Sequence, residues 1–156
     1  MNKTLDELRI HLRKEGVQSE SVAKQSELMS FSKHHSLLLP SDLADYFESI
    51  NGAQQYDSNF FRFYPLEDFK SIWDTYSDWE GIPDFKAVVG VLPGYENVFV
   101  VADYSIHVFS YCIRLLPFAS SNNEVYVVCG PKYKIVANSF TEFIDLYMCN
   151  IDALFF

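Results

Sequence analysis

The sequence predicts an α+β fold: a largely antiparallel, mixed sheet covered by helices, with helices at the N-terminal end and one at the C-terminus. Three observations carry this. Amphipathic helical stretches bracket the chain. A block of adjacent apolar runs rich in β-branched residues lies between Ala87 and Ala137. The 156 residues are 49% apolar and 17% aromatic, enough to fill a core without a disulfide or metal.

The first helix is announced by Thr4, with Glu7 three residues on to complete a capping box. Gly16 can end it, because glycine takes the left-handed conformation freely. A second helical stretch is expected from about Ser19 to Lys33, with Val22, Leu28, Met29 and Phe31 as its sparse apolar positions. Pro40 and Ser41 open a third helix and Asn51-Gly52 close it. Its Leu43, Tyr46, Phe47 and Ile50 share one face. A strand with Phe60, Phe61, Phe63 and Tyr64 follows, ended by Pro65. A fourth helix from Leu66 would turn Leu66, Phe69, Trp73 and Tyr76 inward.

Beyond Pro83 the pattern becomes strand-like. Ala87–Leu92 and Val98–Ala102 are expected as strands, joined by Pro93-Gly94-Tyr95-Glu96-Asn97. Val108–Leu116 alternates, with Phe109, Tyr111, Ile113 and Leu115 on one face. Val125–Cys129 is almost wholly apolar, as for an inner strand buried on both sides. Gly130-Pro131 turns the chain into Tyr133–Ala137. A second capping box, Ser139 and Glu142, starts the last helix, whose stripe is Phe140, Phe143, Ile144 and Tyr147. The final Ile151–Phe156 is apolar, suited to packing back on the domain or to a dimer contact. No linker, repeat or low-complexity stretch divides the chain, so residues 1–156 are expected as one domain.

Composition narrows the function. The formal charge is −9, which disfavours direct nucleic-acid binding, since phosphate contacts need a basic face. There is no run of about 18 apolar residues for a membrane span. The N-terminus is too charged for a signal peptide, so a cytoplasmic protein is expected. Cys112, Cys129 and Cys149 are odd in number and widely spaced, as for free core thiols in a reducing compartment. No CxxC, HExxH, GxSxG, phosphate loop or GxGxxG motif occurs. Hence no catalytic residue, cofactor or metal is expected. A His107–Cys112 pair would lie on opposite faces of a strand.

Three segments together resemble the SUKH superfamily, which groups bacterial toxin-immunity proteins with fungal cell-wall (glucan) synthesis regulators. They are LPSDLADYFESINGA (Leu39–Ala53), FYPLEDF (Phe63–Phe69) and NEVYVVCGPKYKIVANSFTEFIDLYM (Asn123–Met148). With the stretch before them they reach from about Ser19 to Met148. Most of the shared residues have structural work: Pro40 starts a helix, Gly52 ends one, Ser139 caps one. The resemblance therefore implies the scaffold, and the partner surface must lie elsewhere on it. It also implies an intracellular immunity protein that binds a cognate toxin domain stoichiometrically. The alternative is a regulatory or scaffold protein binding a host protein. A small-molecule binder, with aromatics lining a pocket, ranks last.

The charge is placed unevenly. Residues 1–40 balance at +1, 41–103 at −9 and 104–156 at −1. An excess of one sign speeds encounter with a cationic partner, and a nuclease-like toxin has a basic cleft for phosphate. The candidate partner-binding residues are Asp42, Asp45, Glu48, Asp57, Asp74, Asp78, Glu80, Asp84 and Glu96, with Tyr95 and Trp79 beside them. Trp79, flanked by acids, is the expected exposed anchor, because charge gives rate more than affinity. Trp73 is expected in the core.

Overall fold

A computed structural model describes residues 2–156. Five strands form one antiparallel sheet in the order β1-β2-β3-β4-β5. They are β1 (Phe61–Phe63), β2 (Val98–Tyr104), β3 (Phe109–Arg114), β4 (Val125–Cys129) and β5 (Lys132–Ala137). Each pairs with its neighbour in sequence, through registers such as Phe61↔Tyr104, Ser110↔Val128 and Val127↔Lys134. The helices are α1 (Lys3–Lys14), α2 (Gln25–His35), α3 (Ser41–Ser49), α4 (Ile72–Tyr76) and α5 (Phe140–Cys149). The α+β class is therefore observed, with a wholly antiparallel sheet rather than a mixed one.

Both faces of the sheet are buried. On one, Tyr111, Ile113, Val125 and Val127 meet Leu8 of α1, Leu43 and Phe47 of α3, and Phe140, Phe143 and Ile144 of α5. Each buried Phe of α5 stabilises the fold by roughly 1.5–3 kcal/mol of apolar transfer. On the other, Cys112, Tyr126 and Val128 lie under Ile72 and Tyr76 of α4 and under Phe85, Val88 and Leu92.

Several elements differ from the sequence expectation. The cap of α1 is Asn2, whose side chain accepts from the Thr4 N–H at 3.0 Å. Gly16 does end that helix, at φ 71°. α2 starts at Gln25, and its Met29 is exposed while Leu28 is buried. The stretch from Leu66 is not one helix. A 3-10 turn, Leu66–Asp68, breaks at Phe69, and Ser71 restarts the helix by accepting from the Asp74 N–H at 3.0 Å. The break rotates the stripe, so Ile72 and Tyr76 are buried and Trp73 is 43% exposed.

Ala87–Leu92 is not a strand. Phe85–Gly90 is a 3-10 helix capped by Asp84, and Tyr95–Asn97 is another short 3-10 turn. In β2 a bulge between Val100 and Ala102 resets the alternation. It sends Ala102 to the α5 face and Asp103 to the α4 face. The C-terminal segment packs back: Tyr111 Oη donates to the Leu154 carbonyl at 2.9 Å, and Phe155 lies 5.0 Å from the Tyr104 ring. Of the cysteines only Cys112 is buried, and burial pushes its thiol up; Cys129 is half-buried and Cys149 exposed, so two of the three lie outside the core.

Candidate partner-binding surface

The sheet divides the acidic residues into two groups. Asp42, Asp45 and Glu48 belong to α3, whose buried face covers one side of the sheet. Asp74, Asp78, Glu80, Asp84, Tyr95 and Glu96 belong to the layer over the other side. One flat partner surface cannot cover both.

In the α3 group, Asp45 and Glu48 are exposed and border a shallow hollow shared with Asn2, Asp6 and Arg9. Asp42 is committed to the fold. Its Oδ2 accepts from the Thr141 N–H and Oγ, both at 2.9 Å, and so ties α3 to the start of α5.

The second group is denser. Asp74, Asp78, Glu80, Asp84 and Glu96 are all exposed. In the same layer three apolar side chains reach solvent: Trp73, Ile82 and Val91. Ile82 is 98% exposed, in the loop between Glu80 and Asp84. Trp73 meets the half-buried Tyr95 edge-on, with centroids 6.5 Å apart. Arg114 holds the turn that precedes Tyr95: its guanidinium donates to the Pro93 carbonyl at 2.7 Å and to the Gly94 carbonyl at 3.3 Å.

Trp79 is not the expected exposed anchor. Its ring packs against Tyr76, Phe85 and His107, and its Nε1 donates to the Pro83 carbonyl at 2.7 Å. It holds the loop from inside, and Ile82 takes the outer position. An isoleucine after a glycine gives no signal of such exposure in sequence.

Asp57 does not belong to any surface. Its side chain is fully buried and accepts from the N–H groups of Asn59 at 2.9 Å and Phe61 at 3.0 Å. Tyr147 Oη donates to its other oxygen, and His11 Nε2 lies 3.5 Å away. Burial pushes the carboxyl above the usual range, against the pull of those donors and of His11.

A second buried carboxylate, Asp103, escaped sequence reasoning. The β2 bulge aims it at two tyrosine hydroxyls and a backbone N–H. Tyr56 Oη donates to it at 2.6 Å, Tyr64 Oη at 2.8 Å and the His107 N–H at 3.2 Å. Tyr76 Oη, beside it, contacts His107 Nδ1 at 3.1 Å and Ser110 Oγ. Burial and the Asp103 charge push the Tyr56 and Tyr64 phenols well up, so both stay protonated as donors. Ser110 and Asp103 have no exposed surface, while His107 and Tyr56 are half-buried at the edge of the group. Together these groups fix the β2–β3 turn. Among the described residues no group of three or more His, Cys, Asp or Glu could hold a metal ion. No helix among them is long and apolar enough to cross a membrane.

The model of the SMI1 / KNR4 family (SUKH-1) matches residues 23–146, and the chain belongs to that family. Comparison with curated proteins found no match. The family match covers all three of the motif segments apart from the last two residues of the final one.

Proposed function

We propose that this protein is an intracellular immunity protein. It binds a cognate toxin domain one-to-one and neutralises it by covering a basic, nuclease-like surface. Family membership supports a binding role of the immunity or regulator type. One observation favours immunity: five exposed carboxylates, Asp74, Asp78, Glu80, Asp84 and Glu96, belong to the same layer over the sheet as the exposed Trp73 and Ile82. Negative charge steers a cationic partner, and the apolar pair supplies contact area that holds it. The protein acts by occupying a surface, without catalysis, cofactor or metal. Its place is the cytoplasm, with no direct nucleic-acid or membrane contact.

The test is calorimetry with the toxin domain encoded beside this gene. One-to-one binding that weakens with salt is expected, together with protection of cells that express the toxin. Absence of both binding and protection would overturn the reading.

A second reading rests on a different feature. Leu28, Met29, Leu38, Leu39 and Ala44 line an apolar groove of about 420 Å³ between α2 and α3. A regulatory or scaffold protein would hold a host protein there, with little salt dependence. Loss of host-protein binding on Met29→Asp, with toxin protection absent, would favour it.

A further inference from the structure

Two turns at one end of the sheet carry backbone strain and exposed apolar side chains together. In the first, Asp57–Phe60, Phe60 has φ 64° and is 60% exposed. In the second, between β2 and β3, Ser105, Ile106 and His107 have φ of 51°, 55° and 66° in succession. Ile106 is 73% exposed. Glycine, asparagine or aspartate suits the left-handed region; a bulky or β-branched residue there is an outlier. Such strain persists only where the surroundings enforce it, and it collects at binding sites.

The surroundings do enforce it. The buried Asp57 carboxylate grips the first turn through the Asn59 and Phe61 N–H groups. The buried Asp103 carboxylate grips the second through the His107 N–H. The turns are joined, since the Ser105 N–H donates to the Phe60 carbonyl at 2.7 Å. Backbone preference explains neither Phe60 nor Ile106, and packing accounts for little of them: the Phe60 ring meets the half-buried Tyr104 edge-on at 6.4 Å, and both side chains remain mostly exposed. A role at the surface explains both.

We propose that Phe60 and Ile106 form an apolar anchor that seats in a depression on a cationic partner domain. This deepens the partner-binding reading above and rests on it. The sign of the partner comes from the adjoining loop: the His107 ring lies 5.4 Å from that of Trp79, whose neighbours Asp78 and Glu80 are exposed. A second copy of this chain would bring −9 against −9, which disfavours self-association.

The test uses Phe60→Gly and Ile106→Gly in the full chain, with the toxin domain encoded beside this gene as the probe. Glycine relaxes the left-handed backbone, so the thermal midpoint should hold or rise. Binding should weaken about 30-fold or more, as for a hot-spot residue. A midpoint that falls by more than about 5 °C would show a packing role and overturn the proposal. So would affinity within about threefold of wild type for both variants, with the immunity reading left standing. If the toxin domain fails to bind wild type, the immunity reading falls and the anchor is decided separately. A benzophenone at position 106 should then cross-link a basic protein in the native cell that, once purified, binds the wild-type chain and binds the glycine variants about 30-fold more weakly while they keep their midpoint. Cross-linking to a second copy or to an acidic protein, or no cross-link, would overturn it.

Discussion

Replacing Asp103 by alanine tests how the fold holds its β2–β3 turn. The carboxylate accepts from Tyr56 Oη, Tyr64 Oη and the His107 N–H. Among the described residues no lysine or arginine forms an ion pair with it, and His107 Nδ1 lies 3.8 Å away. Alanine strands three donors, each worth about 1–2 kcal/mol when left without an acceptor. Removing an isolated buried charge gives part of that back. The net loss for Asp103→Ala is about 2–4 kcal/mol, a large share of a stability near 10 kcal/mol. At this chain length that lowers the thermal midpoint by roughly 4–16 °C. Asp103→Asn keeps one acceptor oxygen and puts an amide donor in place of the other, so part of the donor set keeps its partner and the variant should lose less than alanine does. Urea titration and thermal scans of both variants read this directly. A loss under about 0.5 kcal/mol for alanine would refute the reasoning. Equal losses for the two variants would refute it too, because the acceptor oxygen that asparagine retains would then contribute nothing.

Two further outcomes follow from the same geometry. Gly52 sits at φ 62°, and an added Cβ would lie 2.6 Å from the Tyr64 carbonyl carbon and 2.7 Å from the Pro65 nitrogen. Both neighbours are backbone, so Gly52→Ala should cost about 2–5 kcal/mol by denaturant titration, and a loss below about 1 kcal/mol would show that the chain after β1 yields. His35 is pushed below its usual range by burial and then by His34, against the pull of Asp74. The folded state therefore binds fewer protons than the unfolded one below the unfolded value of about 6.5. Stability should fall as pH drops from 7 through the depressed folded value, and His35→Gln should flatten that slope; an unchanged slope would assign it to another group.

Much of the scaffold was legible because local chemistry and tertiary position agree. The Pro40–Gly52 helix, the last helix with its Ser139 cap, and the run of strands from Val98 to Ala137 all follow their sequence patterns. The errors have physical causes. Ala87–Leu92 looks like a strand because it is β-branched, yet β2 already pairs with β1 and β3 on its two edges. The segment buries Phe85, Val88 and Leu92 at spacings of three and four instead. The bulge in β2 inverts the alternation that would have placed Asp103 on the other face.

The candidate surface was legible in its charge and not in its anchors. The Leu66–Tyr76 stripe assumed one continuous helix, and the break at Phe69–Ser71 exchanges Trp73 for Ile72 at the core. Trp79 is drawn inward by Tyr76 and His107, partners that only the fold supplies. Asp57 is taken out of the surface by Tyr147, ninety positions away. Ser105-Ile106-His107 carries no glycine or asparagine to announce its left-handed turn.

The central claim, that the α4-side acidic layer receives a cationic partner, is tested most directly by association kinetics. The triple variant Asp74→Lys, Asp78→Lys, Glu80→Lys takes the formal charge from −9 to −3, each reversal changing it by two. All three side chains are exposed, so folding stability should change little. Stopped-flow association with the toxin domain encoded beside this gene would be followed between about 0.01 and 0.15 M ionic strength, where the screening length shrinks from about 30 to 8 Å. The account predicts that wild-type association slows about tenfold or more over that range, and that the variant starts slow and responds weakly. Equal rates and equal salt slopes for the two proteins would contradict it.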